Sequence, residues 1–131
     1  MEQLLLGMRV LVVEDMLVNQ KMLSLQLNRL GCEVLTAVNG SEAVASIQTM
    51  KFDLIFMDIE MPIMNGIAAT TSIRQLEAAD RKRTPIIALT GYKKESDKQR
   101  CAAAGMDGYL SKGANCQEIL DAINKLSTGP V

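Results

Sequence analysis

Short apolar runs in this sequence end in residues that could do chemistry together. Met8-Arg-Val-Leu-Val-Val13 runs into Glu14-Asp15, Asp53-Leu-Ile-Phe-Met closes on Asp58, and Pro85-Ile-Ile-Ala-Leu closes on Thr90. A fourth run, Asp107 to Leu110, is followed by Lys112. Three carboxylates brought together repel and raise one another's pKa. A divalent cation relieves that repulsion. One or two carboxylates with several waters describe a Mg²⁺ site that also accepts phosphate oxygens. A carboxylate can attack phosphorus to give an aspartyl phosphate. The transferring phosphoryl group spreads charge over three equatorial oxygens and needs positioning and neutralisation. The metal can take one oxygen, Lys112 a second, and Thr90 with a backbone N–H the third. Each residue alone has a plainer use, as a turn residue, a cap or a solvated charge. The argument for chemistry rests on their joint placement.

The chain around them is 131 residues long, 48% apolar and 22% charged, with a net charge of −1. That is a globular composition, sized for one domain that needs no disulfide or metal staple. It contains no histidine. This excludes Ser-His and Cys-His nucleophile pairs, His-ligated zinc, and a phosphohistidine of the chain's own. Cys32, Cys101 and Cys116 are widely spaced, which suits reduced thiols. The apolar stretch Leu4 to Val13 is broken by Gly7 and Arg9. It falls far short of the ~20 residues of a spanning helix, so a cytoplasmic domain, or a piece of a larger protein, is expected.

Those end positions matter because of the elements that carry them. The short β-branched runs read as strands buried on both faces. Between them lie helical patterns over Leu17–Leu30, Ser41–Met50 (with Ser41 as its cap), Ile67–Ala79, Glu95–Ala104 and Asn115–Leu126. Cys32–Val38 completes five strands, and Asp107–Leu110 is the last of them. Strand and helix alternating five times predict an α/β fold, a parallel sheet covered by helices on both faces. In such sheets ligands bind outside the carboxyl ends of the strands.

At this point the chain resembles the response-regulator receiver domains of two-component signalling. The matching strings are Val12-Val-Glu-Asp15, Phe52 to Asp58, Met61-Pro with Asn65-Gly66, Pro85 to Thr90, and Ala104 to Lys112. Val18-Asn-Gln-Lys-Met and Ala104-Gly-Met-Asp-Gly-Tyr are most similar to receivers of hybrid sensor histidine kinases. The resemblance covers about Met8 to Leu126 of a single domain spanning 1–131. It implies a flavodoxin-like (βα)5 three-layer sandwich with strand order 2-1-3-4-5. It also implies Mg²⁺-dependent transfer from a partner's phosphohistidine, with Mn²⁺ as a substitute metal. Asp58 matches the phosphoacceptor, Asp15 and Glu14 the metal-binding acids, and the backbone carbonyl of Glu60 a further metal ligand. Thr90 matches the switch hydroxyl, Lys112 the phosphate-binding lysine, and Tyr109 the aromatic that follows the hydroxyl to switch the surface around the fourth helix. The implied partners are a histidine kinase or a histidine phosphotransfer domain docking on the first helix, where Met16 and Leu17 would offer apolar contact. Homodimerisation through the fourth helix is left open.

Two positions depart from the family pattern. Gly113 replaces the usual proline after the lysine, and Met16 the usual asparagine after the acids. A cis bond without proline costs about 2.5–4 kcal/mol, so Lys112–Gly113 is expected to be trans. Gly113 is also the one feature favouring the alternative, a binding-only pseudo-receiver with an altered Lys112–Gly113 loop. A small metal-dependent phosphatase would want a second acid two residues past its nucleophile, where Glu60 stands. In the receiver reading, Glu60 and Tyr92 are positioned to tune the lifetime of the phosphoryl group. Charge is uneven: Arg74 to Arg100 carries +4 and the remainder −5. Arg81-Lys-Arg83 reads as a solvated loop, with no interleaved aromatic to stack bases and no direct nucleic-acid role.

Overall fold

The computed structural model of the chain describes residues 4–80, 82–91 and 95–127. Strands β1 (Arg9–Val13), β2 (Glu33–Ala37), β3 (Leu54–Asp58), β4 (Ile86–Thr90) and β5 (Gly108–Ser111) alternate with helices. These are α1 (Leu17–Arg29), α2 (Gly40–Thr49), α3 (Gly66–Asp80), α4 (Glu95–Ala104) and α5 (Cys116–Ser127). The strands form one parallel sheet in the order β2-β1-β3-β4-β5. This is the three-layer, flavodoxin-like arrangement expected from the sequence.

Alternation along the strands splits the core in two. Val10 and Val12 face Leu23 and Leu27 of α1 and Ile119 and Ala122 of α5. Leu11 and Val13 face Ala43 of α2, Ala69 and Ile73 of α3, and Cys101 of α4. All five residues of β3 and of β4 are buried, as central strands covered on both faces must be. Asp58 and Thr90 are therefore the last residues of the two most deeply covered strands. Cys32 and Cys101 are buried free thiols. Burial pushes Cys32 up to about 11, and burial followed by the charge of Asp97 raises Cys101 against the pull of Arg100. Neither is a reactive thiolate at neutral pH.

Several boundaries differ by a residue from those expected, and at three of them side-chain hydrogen bonds set the position. Helix α2 begins at Gly40 and is capped by Asn39, not Ser41. The Asn39 side-chain oxygen Oδ1 accepts from the Glu42 N–H at 2.9 Å, and the Glu42 carboxylate accepts from the Val38 N–H at 3.1 Å. Strand β5 starts at Gly108 because the Ile86 N–H donates to the side chain of Asp107, at 2.9 Å. Helix α5 starts at Cys116, with Asn115 as its cap. Asn115 Oδ1 accepts from Glu118 N–H at 2.8 Å, and the Glu118 carboxylate accepts from Asn115 N–H at 3.1 Å, a capping box.

The basic segment is partly neutralised inside the fold. Arg74 of α3 donates to the Gly105 carbonyl at 3.0 and 2.9 Å and to the Thr84 carbonyl at 2.8 Å. It also pairs with Glu77 at 2.6 Å and with Asp107 at 2.9 Å. Arg83, expected to be only solvated, pairs with Asp107 at 2.6 Å. Arg81 lies outside the described residues. This network ties α3, the segment before β4 and the turn after α4 together at the amino end of the sheet. Arg74→Met leaves the part-buried Glu77 and the more exposed Asp107 without their shared cation. We expect it to lower the unfolding free energy by about 2–4 kcal/mol in urea titrations. A loss below about 1 kcal/mol would show that Arg83 and backbone N–H groups suffice.

Candidate functional site

Parallel strands bring their carboxyl ends to one rim, and that geometry assembles the site. Glu14 and Asp15 follow β1, Asp58 closes β3, Thr90 closes β4, and Lys112 follows β5. Carboxylate oxygens of Glu14, Asp15 and Asp58 lie within 4.8 Å of one another. Glu14 and Asp58 are each 1% exposed, and Asp15 stands further out. The Lys112 ammonium bridges the two buried acids, 3.0 Å from Asp58 Oδ2 and 3.2 Å from Glu14 Oε1. The Glu60 N–H donates to Asp58 Oδ1 at 3.1 Å.

Two residues at the start of α1, quoted above only within a family string, hold Glu14 in place. Asn19 donates to Glu14 Oε1 at 2.9 Å. Buried Gln20 donates to the carbonyls of Glu14 at 3.1 Å and Ala37 at 3.3 Å. The available signal was a polar pair at the first inward-facing turn of an otherwise apolar helix face.

Burial is the main force on Asp58. It raises the carboxyl to about 6, and proximity to Glu14 adds to the rise, whereas Lys112 and the Glu60 N–H pull it down. Burial alone would lower the Lys112 ammonium. The hydrogen bonds and charges of Asp58 and Glu14 outweigh it and hold Lys112 above the usual lysine range. The rim therefore carries more negative charge than one lysine balances. Among the described residues, Glu14 Oε2 is buried and has no hydrogen-bond partner. A clustered, part-unpartnered set of hard oxygens fits a divalent cation of the Mg²⁺ kind.

Two loops are shaped around Asp58 and Lys112. After β3, the Met64 N–H donates to the Pro62 carbonyl at 2.7 Å, closing a γ-turn around Ile63, whose φ is 70°. Positive φ at a β-branched residue is strained by roughly 1–3 kcal/mol. The loop then enters α3 at Gly66, where a Cβ would sit 2.1 Å from the Asp58 carbonyl oxygen. Only glycine lets the helix start this close to the end of β3. After β5, the Ala114 N–H donates to the Ser111 carbonyl at 3.2 Å, and Gly113 has φ 81°. That is a type II turn with glycine at its third position. Among the described residues every peptide bond is trans, as expected for Lys112–Gly113. The substitution does not displace Lys112 from Asp58.

Thr90 is buried and lines a groove with Tyr109, Asp97, Lys98 and Ser111. The half-buried Tyr109 hydroxyl donates to the Lys98 carbonyl of α4, and the Lys98 ammonium sits 5.6 Å from the ring centre. Tyr109 thus links β5 to α4. Tyr92 lies outside the described residues, and the Glu60 side chain is exposed.

Buried carboxylates, a bridging lysine and a terminal threonine at the rim of a doubly wound sheet define a metal-assisted phosphoryl-accepting module. The response regulator receiver domain family matches residues 10–124, and the chain belongs to that family, the phosphoacceptor domains of two-component signalling. It is 39% identical over 126 residues to hybrid signal transduction histidine kinase G of Dictyostelium discoideum, covering 95% of this chain and 4% of that protein. It is 38% identical to sensor histidine kinase GacS of Pseudomonas protegens, covering 89% of this chain and 13% of the relative. The chain thus spans a small fraction of the curated relatives it matches. Among solved structures, the receiver domain of sensor histidine kinase PA1611 from Pseudomonas aeruginosa has a magnesium ion in its active site cleft. It superposes with a TM-score of 0.80 at 36% identity, over 93% of this chain and 96% of that one. The Mg²⁺-complexed receiver of histidine kinase CKI1 from Arabidopsis thaliana gives 0.85 at 34% identity, over 95% and 94%.

A buried acid whose folded pKa exceeds its unfolded value binds its proton more tightly when folded. Its contribution to stability falls as pH rises from the unfolded value of 3.8 to about 6. Above that window the ionised carboxylate costs about 3 kcal/mol before its pairing with Lys112 is lost by mutation. In EDTA, Asp58→Asn should therefore stabilise the protein by about 2 kcal/mol at pH 7.5, and the gain should vanish near pH 4. Urea unfolding across that range checks it, and a pH-independent difference would contradict the electrostatic account.

Proposed function

We propose that Asp58 is the phosphoacceptor, taking a phosphoryl group from a phosphohistidine of a histidine kinase or a histidine phosphotransfer domain. The supporting observation is the placement of Asp58. It is a buried carboxylate with a lysine ammonium at 3.0 Å on one oxygen and a backbone N–H at 3.1 Å on the other, beside two further acids. A carboxylate oxygen of Asp58 attacks phosphorus as the bond to the donor imidazole nitrogen breaks; with the donor's other ring nitrogen protonated, the electron pair of that bond stays on the ring and neutral imidazole is left on the partner. Glu14, Asp15, Asp58 and the Glu60 carbonyl would hold Mg²⁺, which supplies neutralisation of the phosphoryl oxygens. Lys112 is placed to follow a second oxygen. In this reading the Thr90 hydroxyl, at the carboxyl end of the neighbouring strand β4, would donate to the third.

Phosphorylation adds about −1.5 to −2 charge and three acceptors at the rim. Drawing Thr90 toward that charge frees space beside Tyr109, whose bond to Lys98 carries the change to α4. The switched surface is that around α4, which would also carry any homodimer. The donor docks on α1. Met16, Leu17, Val18, Met22 and Leu25 are each more than half exposed there, an apolar face beginning next to Asp15. The chain, having no histidine, depends on a phosphohistidine supplied from elsewhere. Its relatives make a hybrid histidine kinase the favoured parent. No helix among the described residues is long and apolar enough to cross a membrane. The domain is read as working in the cytoplasm, alone or as the cytoplasmic part of a sensor kinase.

Incubation with Mg²⁺ and acetyl phosphate should add one phosphoryl group by intact-protein mass. Asp58→Asn and EDTA should each abolish it, and Lys112→Ala should slow it about a hundredfold. A modified Asp58→Asn protein would place the acceptor elsewhere. Leu17→Asp should cut transfer from a phosphorylated histidine phosphotransfer domain by at least about tenfold, a loss of more than about 1.4 kcal/mol at the interface, while leaving modification by acetyl phosphate unchanged. Equal loss with both donors would move the docking face away from α1.

A further inference from the structure

Family receivers usually hold the turn after the lysine with a proline ring. Here that turn has Gly113 at its third position, and a Cβ on Gly113 would meet nothing within 4 Å. The space on the Cβ side of Gly113 is open, so no packing there restrains the residue next to Lys112. The gap between the turn and α1 holds a small cavity of about 40 Å³, bordered by Leu23, Gln26, Leu89, Lys112 and Gly113. Close packing does not wedge the turn from that side either. A glycine turn with open space around it has many conformations to lose.

Hydrogen bonds fix the turn instead. On entry, the Lys112 N–H donates to the Thr90 carbonyl at 2.9 Å, an extension of the sheet. On exit, the Ala114 peptide is held from both sides. Its N–H donates to the Ser111 carbonyl at 3.2 Å. Its carbonyl accepts from Gln26 Nε2 at 2.9 Å, a bond from α1 across 88 residues of sequence. Gln26 is the only described side chain that reaches the backbone of this turn from another element. It lies on α1 one helical turn beyond Met22, a member of the exposed apolar face.

We propose that Gln26 is a positioning residue for Lys112. By holding the Ala114 carbonyl it closes the glycine turn and keeps the ammonium over Asp58, the task a proline ring performs by covalent restraint. The inference rests on the reading of Asp58 as acceptor and Lys112 as its phosphate-binding partner. It also couples the two ends of the site. The helix that presents the docking face is bonded to the turn that carries the lysine.

The test measures the rate of phosphorylation by acetyl phosphate at saturating Mg²⁺, with Mg²⁺ affinity by calorimetry, in the full chain. Gln26→Met keeps the length and helix propensity but removes the donor. It should slow phosphorylation about three- to tenfold, the worth of one neutral hydrogen bond, and leave Mg²⁺ affinity within about twofold. Gln26→Lys, which restores a donor, should recover most of the rate. In a Lys112→Ala background, Gln26→Met should have no further effect, since a positioning residue has nothing left to position. An unchanged rate in Gln26→Met, or an equal slowing with and without Lys112, would overturn the proposal. A wild type that is not modified at Asp58, or a Lys112→Ala variant as fast as wild type, would instead overturn the underlying reading.

Discussion

Everything at the functional end of this molecule depends on one electrostatic constraint, the confinement of three carboxylates within 4.8 Å with a single lysine among them. Burial and the neighbouring Glu14 make the charge on Asp58 costly, as its rise to about 6 shows. What keeps the acids useful is incomplete compensation. Lys112, Asn19 and the Glu60 N–H satisfy some lone pairs and leave others, including Glu14 Oε2, open. Full satisfaction would make a stable buried network with no appetite for a cation or a phosphoryl group. The site is strained by charge so that added positive charge, or a rearrangement that spreads negative charge, is favourable.

The opposite end of the sheet shows what full satisfaction looks like. Arg74 is bonded to two carboxylates and two backbone carbonyls, and Asp107 accepts from two arginines and a backbone N–H. The same numbers of charged groups, arranged with alternating sign, form a static clamp there. It pins the turn after α4 to α3 and to the start of β4. The contrast separates two uses of charge within one domain. The amino end is closed and structural, and the carboxyl end is open and reactive. A change at the rim therefore has a fixed base to work against, and Tyr109 joins β5 to α4 between the two ends.

Much of this was legible in sequence because the fold turns position along the chain into position in space. A buried parallel strand must be a short apolar run, and its last residue must reach the rim, so Asp58 and Thr90 announce themselves by ending such runs. Glu14, Asp15 and Lys112 follow by the same logic. Less legible were the residues whose role is set by partners distant in sequence. Asn39 rather than Ser41 caps α2 because of where Glu42 folds back, and both residues are good caps by type. Arg83 looked solvated because its partner, Asp107, is 24 residues away. Gln26 carried no motif at all, since its acceptor is a backbone carbonyl 88 residues on. Periodicity and strand-end position encode which residues reach the rim. They do not encode which polar groups will find one another.

Gly113 is where the two kinds of information meet. From the sequence it weakened the assignment of Lys112, because a covalent restraint had been replaced by the most permissive residue. In the fold, glycine supplies the positive φ that a type II turn requires and that proline cannot adopt. The lysine reaches Asp58 by a different backbone path to the same end. Restraint that a ring would supply through its own geometry must then come from the neighbours, and the neighbour that supplies it is a helix with an exposed apolar face. A turn held by a ring is indifferent to what binds α1. One held through α1 is not. The substitution thereby converts a fixed part of the site into one that is mechanically continuous with the surface where a phosphodonor would sit.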